Sequence, residues 1–128
     1  MTIKTINPST EEVIAEYENI TKDEINSKAK KAKDAFYEWK KDINKRADLI
    51  HNFAQQLRKD KENLAMTATK EMGKVLKESR SEVEKCAWAM EYFADNGKIF
   101  TSDEVINADA GKTVVAFEPI GVIGSIMP

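Results

Sequence analysis

The last twelve residues of the chain restrict its fold more than any other segment. Between Ile120 and Met127, every residue is large and apolar except two glycines and a serine. An extended segment with two apolar faces is typical of a strand inside a parallel sheet that is covered on both sides. A parallel neighbour requires a crossover of a dozen or more residues, and the sequence ends at Pro128. The pattern therefore predicts the front portion of a larger α/β protein.

The first half of the chain has the spacing of two amphipathic helices. Thr21 and Glu24 match a capping box, which predicts that a helix begins there. Apolar residues then recur three and four apart, so they share one stripe of each helix. In the first helix, the stripe is expected to pack on another element, and it contains Ile25, Ala29, Ala32, Phe36 and Trp39. After a short break near Lys41–Asp42, the second stripe contains Ile43, Ala47, Ile50, Ala54 and Leu57.

The next helices are delimited by a polar stretch and a glycine. Arg58–Asn63 interrupts the apolar pattern, and Gly73 suits the left-handed residue that ends a helix. A long helix is expected from about Leu76 to Phe100, with Trp88 and Tyr92 facing away from its buried side. That buried side is predicted to contain Val83, Cys86, Ala87, Met90, Phe93, Ala94 and Gly97.

Short strands are predicted on either side of the helices. Ile3–Ile6 and Val13–Tyr17 flank an Asn-Pro-Ser-Thr turn. Near the other end, Glu104–Ile106 and Lys112–Phe117 are joined by the turn-forming segment Asn107–Gly111. The chain is therefore predicted to be mostly α-helical, with an N-terminal strand pair, a late β-hairpin and one final strand.

Composition and charge exclude several function classes. The 128 residues are 41% hydrophobic and 33% charged, which suits amphipathic helices around a core. The formal charge is −2, and no aromatic residue is interleaved with the lysines of residues 28–33, so we interpret these as a solvated face and expect no nucleic-acid partner. A single Cys excludes an internal disulfide, and no apolar run reaches the ~20 residues of a membrane span. Without an apolar signal core at the N-terminus, a cytoplasmic location is expected.

Several motifs occur in a fixed order along the chain. They are Asn7–Ile14 (NPSTEEVI), Lys45–Asp48 (KRAD), Glu71–Lys74 (EMGK), Glu82–Trp88 (EVEKCAW), and Glu118–Val122 (EPIGV) followed by Ile126–Pro128 (IMP). Together they resemble the N-terminal part of NAD(P)-dependent aldehyde dehydrogenases over essentially the whole chain. Glu82–Trp88 is most similar to the succinate-semialdehyde branch. The family usually has Gly where this chain has Glu11, and a positive φ there would strain Glu by ~1 kcal/mol.

The resemblance implies an α/β family fold that is truncated in this chain. Residues 1–100 would be the strand pair plus helices of the cofactor-binding domain, 101–119 part of the oligomerisation hairpin, and 120–128 the first strand of the cofactor-binding sheet. The intact family enzyme binds NAD or NADP. The family segment that lies along the cofactor matches three residues here, which are the only cofactor-binding candidates carried over: Ile126, Met127 and Pro128.

The resemblance carries no catalytic residue onto this chain. In the family, a Cys thiolate attacks the aldehyde, a side-chain amide and a backbone N–H hold the oxyanion, and a Glu serves as general base. All three side chains lie downstream in the family pattern. We therefore expect an N-terminal segment of an NAD(P)-dependent aldehyde dehydrogenase that is not competent alone, with a second copy or a complementary C-terminal polypeptide as partner. The alternatives are an inactive truncated homologue that acts as an oligomerising or interaction module and, more distantly, an unrelated helical adaptor.

Some residues that invite a chemical role have a simpler interpretation. Cys86 is predicted to be a small buried core residue rather than a nucleophile. His51 is not expected to bind metal, because no Cys or second His stands at ligand spacing. Gly111–Thr113 resembles the end of a phosphate-binding loop, but the first glycine of that loop is missing, so a hairpin turn is predicted. Gly121 and Gly124 are interpreted as close-packing positions of the final strand.

Overall fold

The computed structural model describes residues 2–109 and 111–127. Within them, the chain forms four helices: α1 (Lys22–Trp39), α2 (Ile43–Lys59), α3 (Lys61–Met72) and α4 (Leu76–Phe100). Two antiparallel strand pairs accompany the helices, β1 (Thr2–Ile6) with β2 (Val13–Glu18) and β3 (Glu104–Ile106) with β4 (Thr113–Val115). The predicted order of these elements is confirmed, and the predicted bounds of the long helix coincide with those of α4.

The helix ends follow from local hydrogen bonds. Thr21 Oγ1 accepts from the Glu24 amide at 3.2 Å, and the Glu24 carboxylate accepts from the Thr21 amide at 2.8 Å, which confirms the capping box. The bond from the Thr21 amide lowers the pKa of Glu24. Asp42 Oδ1 caps α2 by accepting from the amides of Asn44 and Lys45. These caps satisfy amides that have no partner inside their own helix.

The predicted helix stop at Gly73 is confirmed. Its φ is +67°, which is the left-handed region, and its amide donates to the Thr69 carbonyl. A Cβ at this position would lie 3.1 Å from Pro8 Cγ, so both the backbone and its neighbour favour glycine. The interruption predicted within the polar stretch is also observed, because Asp60 separates α2 from α3.

The core is made of small side chains where α2 and α3 contact α4. Ala54 from α2 and Ala65 from α3 are buried, together with three residues of α4: Ser79, Ala87 and Ala94. Small residues allow neighbouring helices to approach closely. The Oγ atoms of Ser79 and Thr69 lie 3.1 Å apart, so the buried hydroxyl has a partner.

Two predictions about buried positions on α4 were wrong. Ala87 and Ala94 are buried as predicted, but Cys86 is exposed and Phe93 is 60% exposed. The predicted stripe was wider than the strip of α4 that α2 and α3 cover. Cys86 and Phe93 lie beside that strip, and both are exposed to solvent in the described part of the chain.

The apolar stripe of α1 does not pack as predicted. Ile25 is 50% exposed, and no residue of α1 is buried. Lys40 Nζ lies 5.6 Å from the centre of the Phe36 ring. Periodicity indicates that a helix has an apolar face, but the face is buried only where another element covers it.

The strand pairs agree with prediction in position and pairing. In the first pair, Thr2 is opposite Glu18, and the register shifts between Thr5 and Ile6. Glu11 in the connecting turn has φ +61°. The positive φ that was expected to strain a glutamate at this position is therefore present. In the second pair, Glu104 is opposite Val115, and Gly111 has φ +47° in the connection, which confirms a hairpin turn.

The described part of the strand predicted over 120–128, residues 120–127, does not form a strand. The described residues from 116 to 127 contain no strand, since a hydrogen-bonded ladder requires a neighbouring strand. The close-packing interpretation of Gly121 and Gly124 is wrong here, because a Cβ at either position would have no atom within 4 Å. Gly121 has φ +106°, a backbone conformation that favours glycine over residues with a side chain. Pro128 lies outside the described residues.

No helix in the described ranges is both long enough and apolar enough to cross a membrane.

Candidate functional site

The cofactor-binding candidates lie on the extended C-terminal segment. Ile126 is 99% exposed and Met127 is 79% exposed, while Pro128 is outside the described residues. Ser125 Oγ donates to Met127 Sδ at 3.2 Å. Their side chains offer apolar contact and no acid, base or nucleophile. They could form part of a wall against a flat ligand, and their binding to a cofactor stays a prediction.

A cavity of about 650 Å³ lies where this segment meets the helices. Its wall combines the end of α1, the start of α2, the end of α4 and residues 117–119. The charged lining residues are four cations and two carboxylates: Lys40, Lys41, Arg46, Lys98, Asp103 and Glu118. Arg46 Nη1 donates to the Trp39 carbonyl at 2.9 Å, which ties the α1–α2 connection to this wall. The lining contains neither Cys nor His.

Charged side chains connect α2 and α3 to α4 beside the alanine core. Arg58 Nε donates to Glu84 at 2.6 Å, and the Arg58 guanidinium binds both oxygens of Glu91. Lys61 Nζ also donates to Glu84, at 3.3 Å. We call Arg58, Lys61, Glu84 and Glu91 the Arg58 cluster. Hydrogen bonds from Arg58 lower the pKa of both glutamates, and the bond to Glu91 is the main cause that raises the pKa of Arg58.

The Arg58 cluster holds helices in place rather than exchanging protons. A guanidinium does not deprotonate in proteins, and its bidentate geometry fixes the orientation of a carboxylate. In the sequence pattern, Arg58 stands out only as part of a polar interruption. The available signal was the spacing of Glu84 and Glu91, which are two helical turns apart on the face that also carries Ala87.

The single histidine takes part in a second contact between α2 and α4. His51 Nε2 lies 2.9 Å from Asp95 Oδ1. Across the described residues, no group of three or more His, Cys, Asp and Glu side chains is arranged to hold a metal ion. The His51 ring is therefore engaged with a carboxylate on the neighbouring helix.

Cys86 is accessible, contrary to the prediction that it is buried. It lines a cavity of about 530 Å³ together with Ser81, Lys85 and the ion-paired side chains of Lys74 and Glu82. The hydrogen bond from Lys74 lowers the pKa of Glu82. Because the chain's one histidine contacts Asp95 instead, the pair of thiol and imidazole that would activate a nucleophile is not assembled.

Comparison with known proteins identifies relatives along the whole chain. The model of the aldehyde dehydrogenase family matches residues 1–128. A probable NADP(+) succinate-semialdehyde dehydrogenase from Synechocystis sp. is 31% identical over 129 residues, covering 100% of this chain and 28% of the relative. Malonate-semialdehyde dehydrogenase 1 from Shouchella clausii is 36% identical over 126 residues, covering 96% of this chain and 26% of the relative.

A solved structure has the same arrangement of elements. The crystal structure of succinic semialdehyde dehydrogenase from Streptococcus pyogenes, in complex with NADP+, matches with a TM-score of 0.82 and 30% sequence identity. The match covers 87% of this chain and 25% of that chain. The chain thus spans between 25% and 28% of the length of these three relatives.

Proposed function

This chain belongs to the aldehyde dehydrogenase family, and we propose that it is the N-terminal segment of an NAD(P)-dependent enzyme that oxidises an aldehyde, with succinate semialdehyde as substrate, to a carboxylic acid. The observation that carries this proposal is the match over the full chain to relatives named for succinate semialdehyde and NADP. The exposed C-terminal segment is compatible with this role, because it offers apolar side chains and backbone to a ligand.

The chemical groups that this chain contains limit the role that it would have in the enzyme. The cofactor accepts a hydride when it is bound. Residues of this chain would contribute positioning: α2, α3 and α4 form a packed support, and Ile126 and Met127 would contact the cofactor through backbone and apolar side chains. The thiolate, the oxyanion donor and the general base would come from other parts of the enzyme. We therefore expect the isolated chain to have no aldehyde-oxidising activity.

A chimera tests the proposal directly. This chain would replace the matching N-terminal segment of the Synechocystis relative, which is 28% of that protein. The chimera is expected to oxidise succinate semialdehyde with NADP+, followed by absorbance of the reduced cofactor. Parallel assays with malonate semialdehyde and with NAD+ measure substrate and cofactor preference. The unmodified relative and the isolated chain are the matched positive and negative controls.

The result that contradicts the proposal can be distinguished from simple misfolding. A chimera with the helical circular dichroism and assembly size of the relative, but without NADP+ binding or aldehyde oxidation, would contradict it. Turnover by the isolated chain that is lost in Cys86→Ser would also contradict it, since Cys86 would then be a nucleophile of this segment.

One observation favours a second candidate, an oligomerising or interaction module without activity. Ile120 is 88% exposed and Ile123 is 72% exposed, in addition to Ile126. Contiguous exposed apolar side chains are typical of surfaces that bind another polypeptide. The candidate partners are a second copy and a complementary C-terminal polypeptide. A chain that self-associates while its chimera is folded and inactive would support this candidate.

A further inference from the structure

A shallow groove runs along one face of α4. It encloses about 480 Å³ and is lined by Lys61 of α3 and by a face of α4. We call it the α4 groove. Its α4 side chains, from Lys77 to Trp88, recur at helical spacing over about 16 Å of helix length. They are Lys77, Arg80, Ser81, Glu84, Lys85 and Trp88.

The α4 groove has more positive than negative charge, although the whole chain has a formal charge of −2. Two of its four cations already bind carboxylates: Arg80 donates to Glu62 at 2.7 Å, and Lys61 donates to Glu84. Within the described residues, Lys77 and Lys85 form no direct ion pair, although the charge of Lys85 helps to lower the pKa of Glu82. The two lysines are therefore available to further carboxylates.

The α4 groove also contains a large exposed aromatic side chain. Trp88 is 63% exposed and stacks on no other ring in the described part of the chain. Trp is among the residues that contribute most to binding energy at protein interfaces, and the face of its indole ring also attracts cations. An exposed tryptophan on the same groove lining as Lys77 and Lys85 thus indicates a contact surface for another polypeptide.

We propose that the α4 groove docks an acidic segment of a partner polypeptide, with an apolar or aromatic side chain of that segment against Trp88. Charge complementarity selects carboxylates, which already occupy the other two cations of the groove. The cations occupy positions 77, 80 and 85 of α4 and position 61 of α3, and this spread suits an extended partner better than a single phosphate. Glu84 within the groove disfavours a nucleic-acid backbone.

Trp88 itself can report on docking. The chain has two tryptophans, so Trp39→Phe leaves Trp88 as the single tryptophan emitter. In that background, the probe is the peptide Glu-Glu-Phe-Glu-Glu, with Gln-Gln-Phe-Gln-Gln and inorganic phosphate as matched comparisons. We expect a saturable change in Trp88 fluorescence with the acidic peptide that weakens as salt rises, because salt screens exposed charges.

A charge-matched pair of variants locates the binding. Lys77→Gln/Lys85→Gln should weaken acidic-peptide binding by about fivefold, the expected sum for two exposed ion pairs. Lys30→Gln/Lys33→Gln removes the same charge from the exposed face of α1 and should leave binding unchanged. Circular dichroism checks that both variants keep the helical fold.

Four results would overturn the proposal. They are no saturable change with the acidic peptide, equal binding of the neutral peptide, equal loss in both double variants, and tighter binding of phosphate than of the peptide. A concentration-dependent dimer that is lost only in Lys77→Gln/Lys85→Gln would assign the groove to a second copy of this chain instead of a separate acidic partner.

Discussion

Apolar side chains are buried where α2 contacts α4, but they are exposed along the C-terminal segment. Ala54 and Ala87 are small and have 0% exposure, whereas Ile126 is large and 99% exposed. Transfer from water favours burial of isoleucine more strongly than burial of alanine. The difference therefore comes from geometry. Helices α2 and α4 lie side by side, and the Arg58 cluster connects them. The described residues of the C-terminal segment have no neighbouring strand. The large apolar side chains of this segment therefore stay exposed to solvent.

Removing that surface should have the largest effect. Deletion of residues 117–128 is expected to convert an associated species to a monomer, because each large apolar side chain covered by a partner contributes ~1.5–3 kcal/mol. Light scattering measures the change, and binding of a dye that detects apolar surface should fall in parallel. A full-length chain that is already monomeric, with dye binding unchanged after the deletion, would show that the segment does not drive association.

Enlarging a core alanine should have the next largest effect. Ala87→Leu places extra atoms where α4 contacts its neighbours and is expected to destabilise the fold by about 1–3 kcal/mol. Ala32→Leu on the exposed stripe of α1 is the matched control and should change stability little. Urea unfolding followed by circular dichroism compares the two. Equal midpoints would mean that the close contact at Ala87 is not maintained in solution.

The helix stop at Gly73 provides a smaller test of the packed region. Gly73→Val should cost ~1–2 kcal/mol, because the left-handed backbone disfavours a β-branched residue. The 3.1 Å approach of a Cβ to Pro8 Cγ adds to the strain. Gly97→Ala, within α4 and with free space around its Cβ, should instead stabilise by about 0.5–1 kcal/mol. Thermal melts that rank the variants in the opposite order would contradict this geometry.

The smallest effect is expected from the charges that join α2 to α4, since they are partly exposed and screened. Hydrogen bonds from Arg58 lower the pKa of Glu84 and Glu91 below the usual 4.5. Carboxylates with a lowered folded pKa contribute stability above their unfolded pKa, and this contribution is lost as pH falls through the folded pKa. Arg58→Gln should therefore lower the Tm at neutral pH and reduce the loss of Tm on acidification.

A pH series distinguishes this mechanism from a general packing defect. The Tm difference between the parent chain and Arg58→Gln should shrink as pH falls below about 4.5, where carboxylates become protonated. Lys30→Gln on α1 is the matched surface control and should follow the parent at every pH. A difference that stays constant across the series would indicate that Arg58 acts through its packing alone.

The sequence by itself determined the local architecture and the family. Caps, glycine conformations and turns depend on neighbouring residues in the chain, so the capping box at Thr21, the helix stop at Gly73 and the hairpin at Gly111 were predictable. The motif order also led to the aldehyde dehydrogenase family, which the match over residues 1–128 confirms. Short-range steric and hydrogen-bonding rules are sufficient for these features.

Only the tertiary structure decided which apolar and charged faces acquire neighbours. Helical periodicity placed Cys86 and Phe93 beside the buried stripe, but α2 and α3 cover less of α4 than that stripe, so both are exposed. The same limitation applies to α1, whose apolar face was predictable while its exposure was not. Contacts between residues far apart in sequence, such as Arg58 with Glu91 across 33 positions, depend on how the helices are placed against each other in space. Local periodicity contains no information about that placement.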